Sequence, residues 1–297
     1  RDRPGFDCIL GNPPWEEVVA EELAFWNTRF PGLKALSNVE QADLLDQYRQ
    51  ERPELVGQFE TAQSEATVLR QLLGCGAFPG MGVGDPDLYK AFCWRFWMLC
   101  SWTGTIGVVL PRSVFTTKGS ADWRLETLPA ARTDIVFTKN RNEWLFEDVN
   151  PGWPIALVSI SPSEEPGSIT IRGTIESLAE YRSAMQIDPV ELLVDDLLRV
   201  DDLLCVPSVD GDRGLELFAL LLPNTTFGNG DRTDWRARPV RELDATNDAE
   251  QFFTGVESDW PIYNHRNIGH FSFDETEGAF NHTDFDDAIR RLQDKRE

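Results

Sequence analysis

The stretch Asp7-Cys8-Ile9-Leu10-Gly11-Asn12-Pro13-Pro14-Trp15 constrains this chain more than any other. Phe6 to Gly11 is an apolar run of strand length and reads as a buried strand that stops at a glycine. Two consecutive prolines then forbid either a strand or a helix from continuing, because both fix φ and neither has a backbone N–H to donate. What remains is a stiff loop at the carboxyl end of a strand. In an open α/β sheet that end is where ligands bind, so Asn12, Pro13, Pro14 and Trp15 are the first candidate site residues.

The order Asp-x-x-x-Gly-Asn-Pro-Pro-Trp resembles motif IV of the amino-methyltransferases that methylate the exocyclic nitrogen of adenine in DNA, where the pattern is Asn/Asp-Pro-Pro-aromatic. The resemblance implies S-adenosyl-L-methionine as cofactor and double-stranded DNA as partner, and no metal is needed for the transfer. The chemistry accounts for the residue types. An amine conjugated to a purine is a poor nucleophile because its lone pair is delocalised into the ring. Two acceptors, the Asn12 side-chain oxygen and the Pro13 carbonyl, would take its two N–H groups and draw the nitrogen towards a tetrahedral state. The prolines hold those acceptors in place, and the Trp15 indole would stack on a base that has left the duplex. A Pro-Pro turn with Trp15 as core packing is the structural alternative.

A second match lies downstream. Asp87-Leu88-Tyr89-Lys90-x-Phe92, a helix, and then Gly104-x-Ile106-Gly107-x-Val109-Leu110-Pro111-x-Ser113 resemble motifs V and VI of the large adenine methylases of type IIG restriction–modification and of BREX and DISARM phage-defence systems. That resemblance implies an aromatic, in what is called motif VIII, on a loop near residues 140–149 that packs against the flipped adenine. Phe146 is the first choice and Trp144 the second, with hairpin anchoring the alternative for either. In the family's commonest order a Phe-x-Gly-x-Gly cofactor turn precedes motif IV; here Phe227-Gly228-Asn229-Gly230 is the nearest string, with the wrong spacing. The cofactor-binding residues are therefore expected in an upstream half of the same polypeptide. The fold expected is α/β: the carboxyl-terminal half of a Rossmann-like methyltransferase sheet with a helical insertion, followed by a mixed α+β target-recognition region.

Apolar residues at three- and four-residue spacing from Glu16 to Leu73, interrupted at Pro31 and Pro53, mark the insertion (about 16–84), expected to cap the site. Glycine-rich 74–84 has neither a strand before it nor a Lys-Ser/Thr within it, so it reads as a flexible connection or lid rather than a phosphate cradle. A helix from Asp87 to Cys100, ended by Gly104, precedes strands at Thr105–Leu110, Asp134–Thr138 and Pro154–Ile160, the last taken as the final core strand. After Ser161 the composition turns to Ser, Pro, Glu and Gly. This suggests a partial catalytic core over 1–162 and a partial target-recognition region over 163–297. In the latter, Pro261-Ile262-Tyr263 and His270-Phe271-x-Phe273-Asp274 partly resemble the start of that region, although His265-Arg266 replaces the family's Gly-Lys. Arg232, Arg236, Arg238 and Arg266 are candidate DNA contacts, with salt bridges to the abundant carboxylates the alternative.

A formal charge of −22 argues, alone, against a nucleic-acid partner. Yet the cations are nearly all Arg, with five Lys, and the acids are dispersed, which is the pattern of extreme halophiles. High salt screens carboxylate repulsion and makes counterion release a small part of DNA affinity, so a basic patch is not required. The five Cys include no Cys-x-x-Cys pair and fit a reduced, cytoplasmic setting without a zinc site. No apolar run approaches the length of a membrane span. No Lys has an acid two residues before it, so a metal-dependent nuclease centre is not visible. Two other functions stay open: a non-catalytic DNA- or partner-binding fragment, possible subunits of a defence system being such partners, and a methyltransferase acting on glutamine or RNA.

Overall fold

In the computed structural model the described residues are 4–81, 83–84, 86–147, 149–207, 212–221, 260–262, 268–269, 272–273, 281–283, 289–290 and 293. Six strands form one sheet: β1 (Phe6–Gly11), β2 (Cys100–Pro111), β3 (Ala131–Lys139), β4 (Pro154–Pro162), β5 (Ser168–Ile175) and β6 (Val190–Leu193), in the order β1-β2-β4-β3-β5-β6. β1 runs parallel to β2, and β5 parallel to β3, while β4 lies antiparallel between β2 and β3. The carboxyl ends of β1, β2 and β3 and the start of β4 therefore meet at one edge of a mixed sheet. β6 closes the other side, antiparallel to β5.

Register explains which face is the core. Val108, Val158, Ile135 and Ile171 lie side by side across four strands, and all are buried. One residue along, Gly107, Ser159, Asp134 and Thr170 form the opposite row, and Asp134 is exposed. This period of two is what a sheet covered on one face requires. The covering layer includes α4 (Leu88–Leu99) and α5 (Ala121–Thr127), whose Trp94, Trp97 and Trp123 join the strand residues in one cluster. Further along, α6 (Val194–Leu198) and α7 (Asp212–Leu221) add Leu197 and Leu215. Each fully buried Val, Leu or Ile there contributes roughly 1.5–3 kcal/mol.

Several expectations need correction. Among the described residues β1 pairs only with β2, and Phe6 is 60% and Leu10 81% exposed. β2 begins at Cys100, directly after α4, and Gly104 sits inside it rather than ending the helix. The reason is a close approach, since a Cβ on Gly104 would stand 2.6 Å from the Phe6 carbonyl oxygen, where the β1–β2 register shifts. Nor is β4 the last strand. The Ser/Pro/Glu stretch after Ser161 is the β4–β5 connection within one sheet, and the compact units are Arg1–Asn224 and Thr225–Glu297, so the first runs past the boundary expected at 162.

The insertion consists of α1 (Glu22–Arg29), α2 (Asn38–Glu51) and α3 (Pro53–Gly74), with Pro53 starting α3 where a missing N–H costs nothing. Ser37 and Glu40 close a capping box on α2. Trp26, Leu33 and Leu55 give these helices a core of their own. The segment leaves and rejoins the sheet at one point, where the Val18 and Leu88 amides donate to the carbonyls of Pro86 and Glu16. Segment 74–84 is pinned, not lid-like: Met81 is buried and the Trp94 indole donates to the Pro79 carbonyl at 2.9 Å.

In the second unit, β7 (Trp260–Ile262) pairs with β10 (Asn281–Thr283), and β8 (Ile268–Gly269) with β9 (Ser272–Phe273), both antiparallel. No helix among the described residues is long and apolar enough to cross a membrane.

Candidate active site

The loop Asn12–Trp15 is fixed at both ends. On one side Gly11 closes β1 against α4, where a Cβ would stand 2.8 Å from the ring of Phe96. On the other side Glu17 bridges to Asp87. Between these anchors Pro13 is buried, Trp15 is half-buried, and Asn12 and Pro14 are exposed. Neither the Asn12 side-chain amide nor the Pro13 carbonyl has a hydrogen-bond partner among the described residues. Asp7 lies at the far end of β1, against Ser101.

Facing this loop is the connection between β3 and β4. Asn12, Pro13, Pro14, Trp15, Phe146, Val149, Trp153 and Ile155 together line a cleft of about 250 Å³. This is below the ~300–1,000 Å³ usual for drug-sized ligands and suits a single planar ring system. Its walls are apolar apart from Asn12. The indoles of Trp15 and Trp153 face each other with centroids 6.3 Å apart and planes 18° from parallel, within the range of aromatic pairs.

The opposite wall is held by Asn140, which is fully buried. Its Oδ1 accepts from the amides of Leu145 and Phe146, each at 3.1 Å, and its Nδ2 donates to the carbonyls of Phe146 at 2.8 Å and Val149 at 3.0 Å. Asn150 shapes the next turn by accepting from the Gly152 amide at 2.8 Å, and Trp153 follows.

Of the residues singled out from the sequence, Asn12, Pro13, Pro14, Trp15 and Phe146 share this cleft. Trp144 does not line it; its indole donates to the Lys139 carbonyl and its ring packs on Tyr181. Arg232, Arg236, Arg238 and Arg266 lie outside the described residues. Asn140, Val149, Trp153 and Ile155 were not foreseen; the only signals were an Asn just past a strand and a Trp flanked by Gly152 and Pro154. Among the described residues, none of the helical insertion lines this cleft.

Among the described residues there is no group of His, Cys, Asp and Glu that would hold a metal ion. Glycine-rich 74–84 follows a helix rather than a strand, so it is not the strand-to-helix glycine turn that would cradle S-adenosyl-L-methionine.

No family model matches this chain. No curated protein matches it either. Among solved structures it is similar to the methyltransferase subunit of a type I restriction-modification system from Streptococcus thermophilus, at TM-score 0.33 and 11% identity over 63% of this chain and 32% of that one. It is also similar to a modification subunit of a proposed type I restriction enzyme from Vibrio vulnificus, at TM-score 0.31 and 16% identity over 73% of this chain and 40% of that one. The chain thus spans less than half the length of either.

Proposed function

We propose that the cleft captures an adenine flipped out of DNA and that the chain carries the target-base part of an S-adenosyl-L-methionine-dependent N6-adenine methyltransferase of a restriction–modification or phage-defence system. The observation that carries this reading is the Asn12 amide, exposed and without an internal partner at an apolar, aromatic-walled cleft. A polar group so situated is available to a ligand. Asn12 Oδ1 and the Pro13 carbonyl accept the two amine hydrogens and favour the nucleophilic form of the nitrogen. Trp15 and Phe146 hold the base by stacking, with Trp153 as a further wall. Bound S-adenosyl-L-methionine supplies an electrophilic methyl group, and its binding is assigned to another part of the same polypeptide. The distal arginines and the second unit, Thr225–Glu297, are assigned to DNA recognition, and other subunits of the system are expected partners.

The test is Asn12→Ala in the complete enzyme, assayed in single turnover with saturating DNA and cofactor. Loss of one such acceptor costs about 3–4 kcal/mol, or on the order of a hundred- to a thousandfold in rate, with binding retained. Trp15→Ala instead weakens base capture by roughly 1–3 kcal/mol. A near-normal rate for Asn12→Ala removes Asn12–Trp15 from the chemistry and favours a chain that only binds DNA or a partner.

A further inference from the structure

We infer that Asn140 is the positioning residue of the base slot: it sets the far wall by holding the backbone of Phe146 and Val149 where both face the cleft. The inference rests on the base-capture reading and adds to it a residue that touches no substrate. Three observations carry it. Asn140 has no exposed surface, and its side chain spends both its donor and its acceptor capacity on the backbone of 145–149. Two of the four bonds fall on Phe146 itself, one on its amide and one on its carbonyl. And the chain between holds strained backbone, since Asn142 and Glu143 both take left-handed angles, φ 53° and 54°, with one backbone bond from the Glu143 amide to the Asn140 carbonyl at 3.0 Å. Such residues persist only where their surroundings over-determine them. Among the described residues, only the Asn140 side chain ties the backbone of this loop at both 145–146 and 149. Only glutamine carries the same carboxamide, one methylene further from the backbone; aspartate keeps the two acceptor bonds but turns a carboxylate towards two carbonyls, and alanine keeps none.

If Asn140 acts through Phe146, the two residues are one unit energetically, and their substitutions do not add. The experiment is fluorescence quenching of a short single-stranded oligonucleotide carrying one 2-aminopurine, titrated into this chain and into Phe146→Ala, Asn140→Ala, Asn140→Asp and the double variant Asn140→Ala/Phe146→Ala. Far-ultraviolet dichroism and a melting temperature accompany each. The expected result is that Phe146→Ala weakens capture about five- to a hundredfold. Either Asn140 variant should reproduce most of that loss while folded at the assay temperature, and the double variant should be no worse than Phe146→Ala alone. Asn140→Asp serves if the alanine variant does not fold. A purely structural Asn140 gives a lowered melting temperature with capture unchanged, or losses that multiply in the double variant; either overturns the inference while leaving the slot intact. Unchanged capture in Phe146→Ala overturns the slot and with it the role of Asn140.

Discussion

Arg124 offers the sharpest energetic test of the fold. It is fully buried, yet among the described residues no carboxylate forms a salt bridge with it. Its guanidinium donates to the carbonyls of Val114 at 2.7 Å, Thr117 at 2.9 Å, Leu203 at 2.9 Å and Leu204 at 3.0 Å, clasping the turn after β2 to the segment 203–205. Burial draws its pKa below the ordinary value, while Cys205 and Asp201 oppose that shift. In Arg124→Met the bonds to Val114 and Leu204, which are fully enclosed, leave two carbonyls without a partner. The other two acceptors are partly open to water and recover. Each enclosed loss costs about 1–3 kcal/mol, and removing the cation returns part of its own desolvation, so the net destabilisation is about 2–4 kcal/mol. Against a typical total of about 5–15 kcal/mol that is a large share. Urea unfolding at fixed high salt measures it, and amide exchange at Val206, whose N–H reaches the Phe115 carbonyl, reports whether the clasp opens locally. A change under about 1 kcal/mol with an unaltered m-value would refute the reasoning, because enclosed carbonyls would then have been satisfied some other way.

Two glycines should respond in opposite senses. Gly57, exposed within α3 and with nothing near the site of a Cβ, should gain roughly 0.5–1 kcal/mol as Gly57→Ala. Gly104→Ala should lose stability by about 1–3 kcal/mol, because its Cβ would meet the Phe6 carbonyl backbone at 2.6 Å; thermal melts of the pair decide both signs. The Cys205 thiol is pushed up to about 11 from the ordinary 9.0, by burial and by Asp201. Its alkylation should lag that of exposed Cys8 at pH 8 and rise towards pH 11, as peptide mapping after iodoacetamide would read. The raised value also means that the fold favours the neutral thiol, so this contribution to stability is intact below about pH 9 and fades as pH climbs to about 11.

The near wall of the cleft and one aromatic of the far wall, Phe146, were legible in the sequence, but what holds the far wall was not, for a physical reason. Gly11-Asn12-Pro13-Pro14 dictates its own backbone, because fixed φ and missing donors act within the residues that carry them. Burial is a different kind of property. Phe6 and Leu10 look like core residues in the sequence, but burial depends on which strands pair with β1, and among the described residues only β2 does. Gly104 was ambiguous in the same way, since a glycine that ends a helix and one that lets two backbones approach are identical in sequence. A Ser-Pro-Ser-Glu-Glu-Pro-Gly run marks a loop but not whether the chain returns to the same sheet, and here it does. Asn140 and Trp153 are the extreme case. Neither sits in a distinctive string, and the four bonds of Asn140 exist only because residues 141–149 fold back over it. A slot with one wall set by local covalent stiffness and the other by a single buried amide should fail asymmetrically: proline substitutions loosen the acceptors and slow chemistry, whereas changes at Asn140 release the aromatic wall and weaken capture.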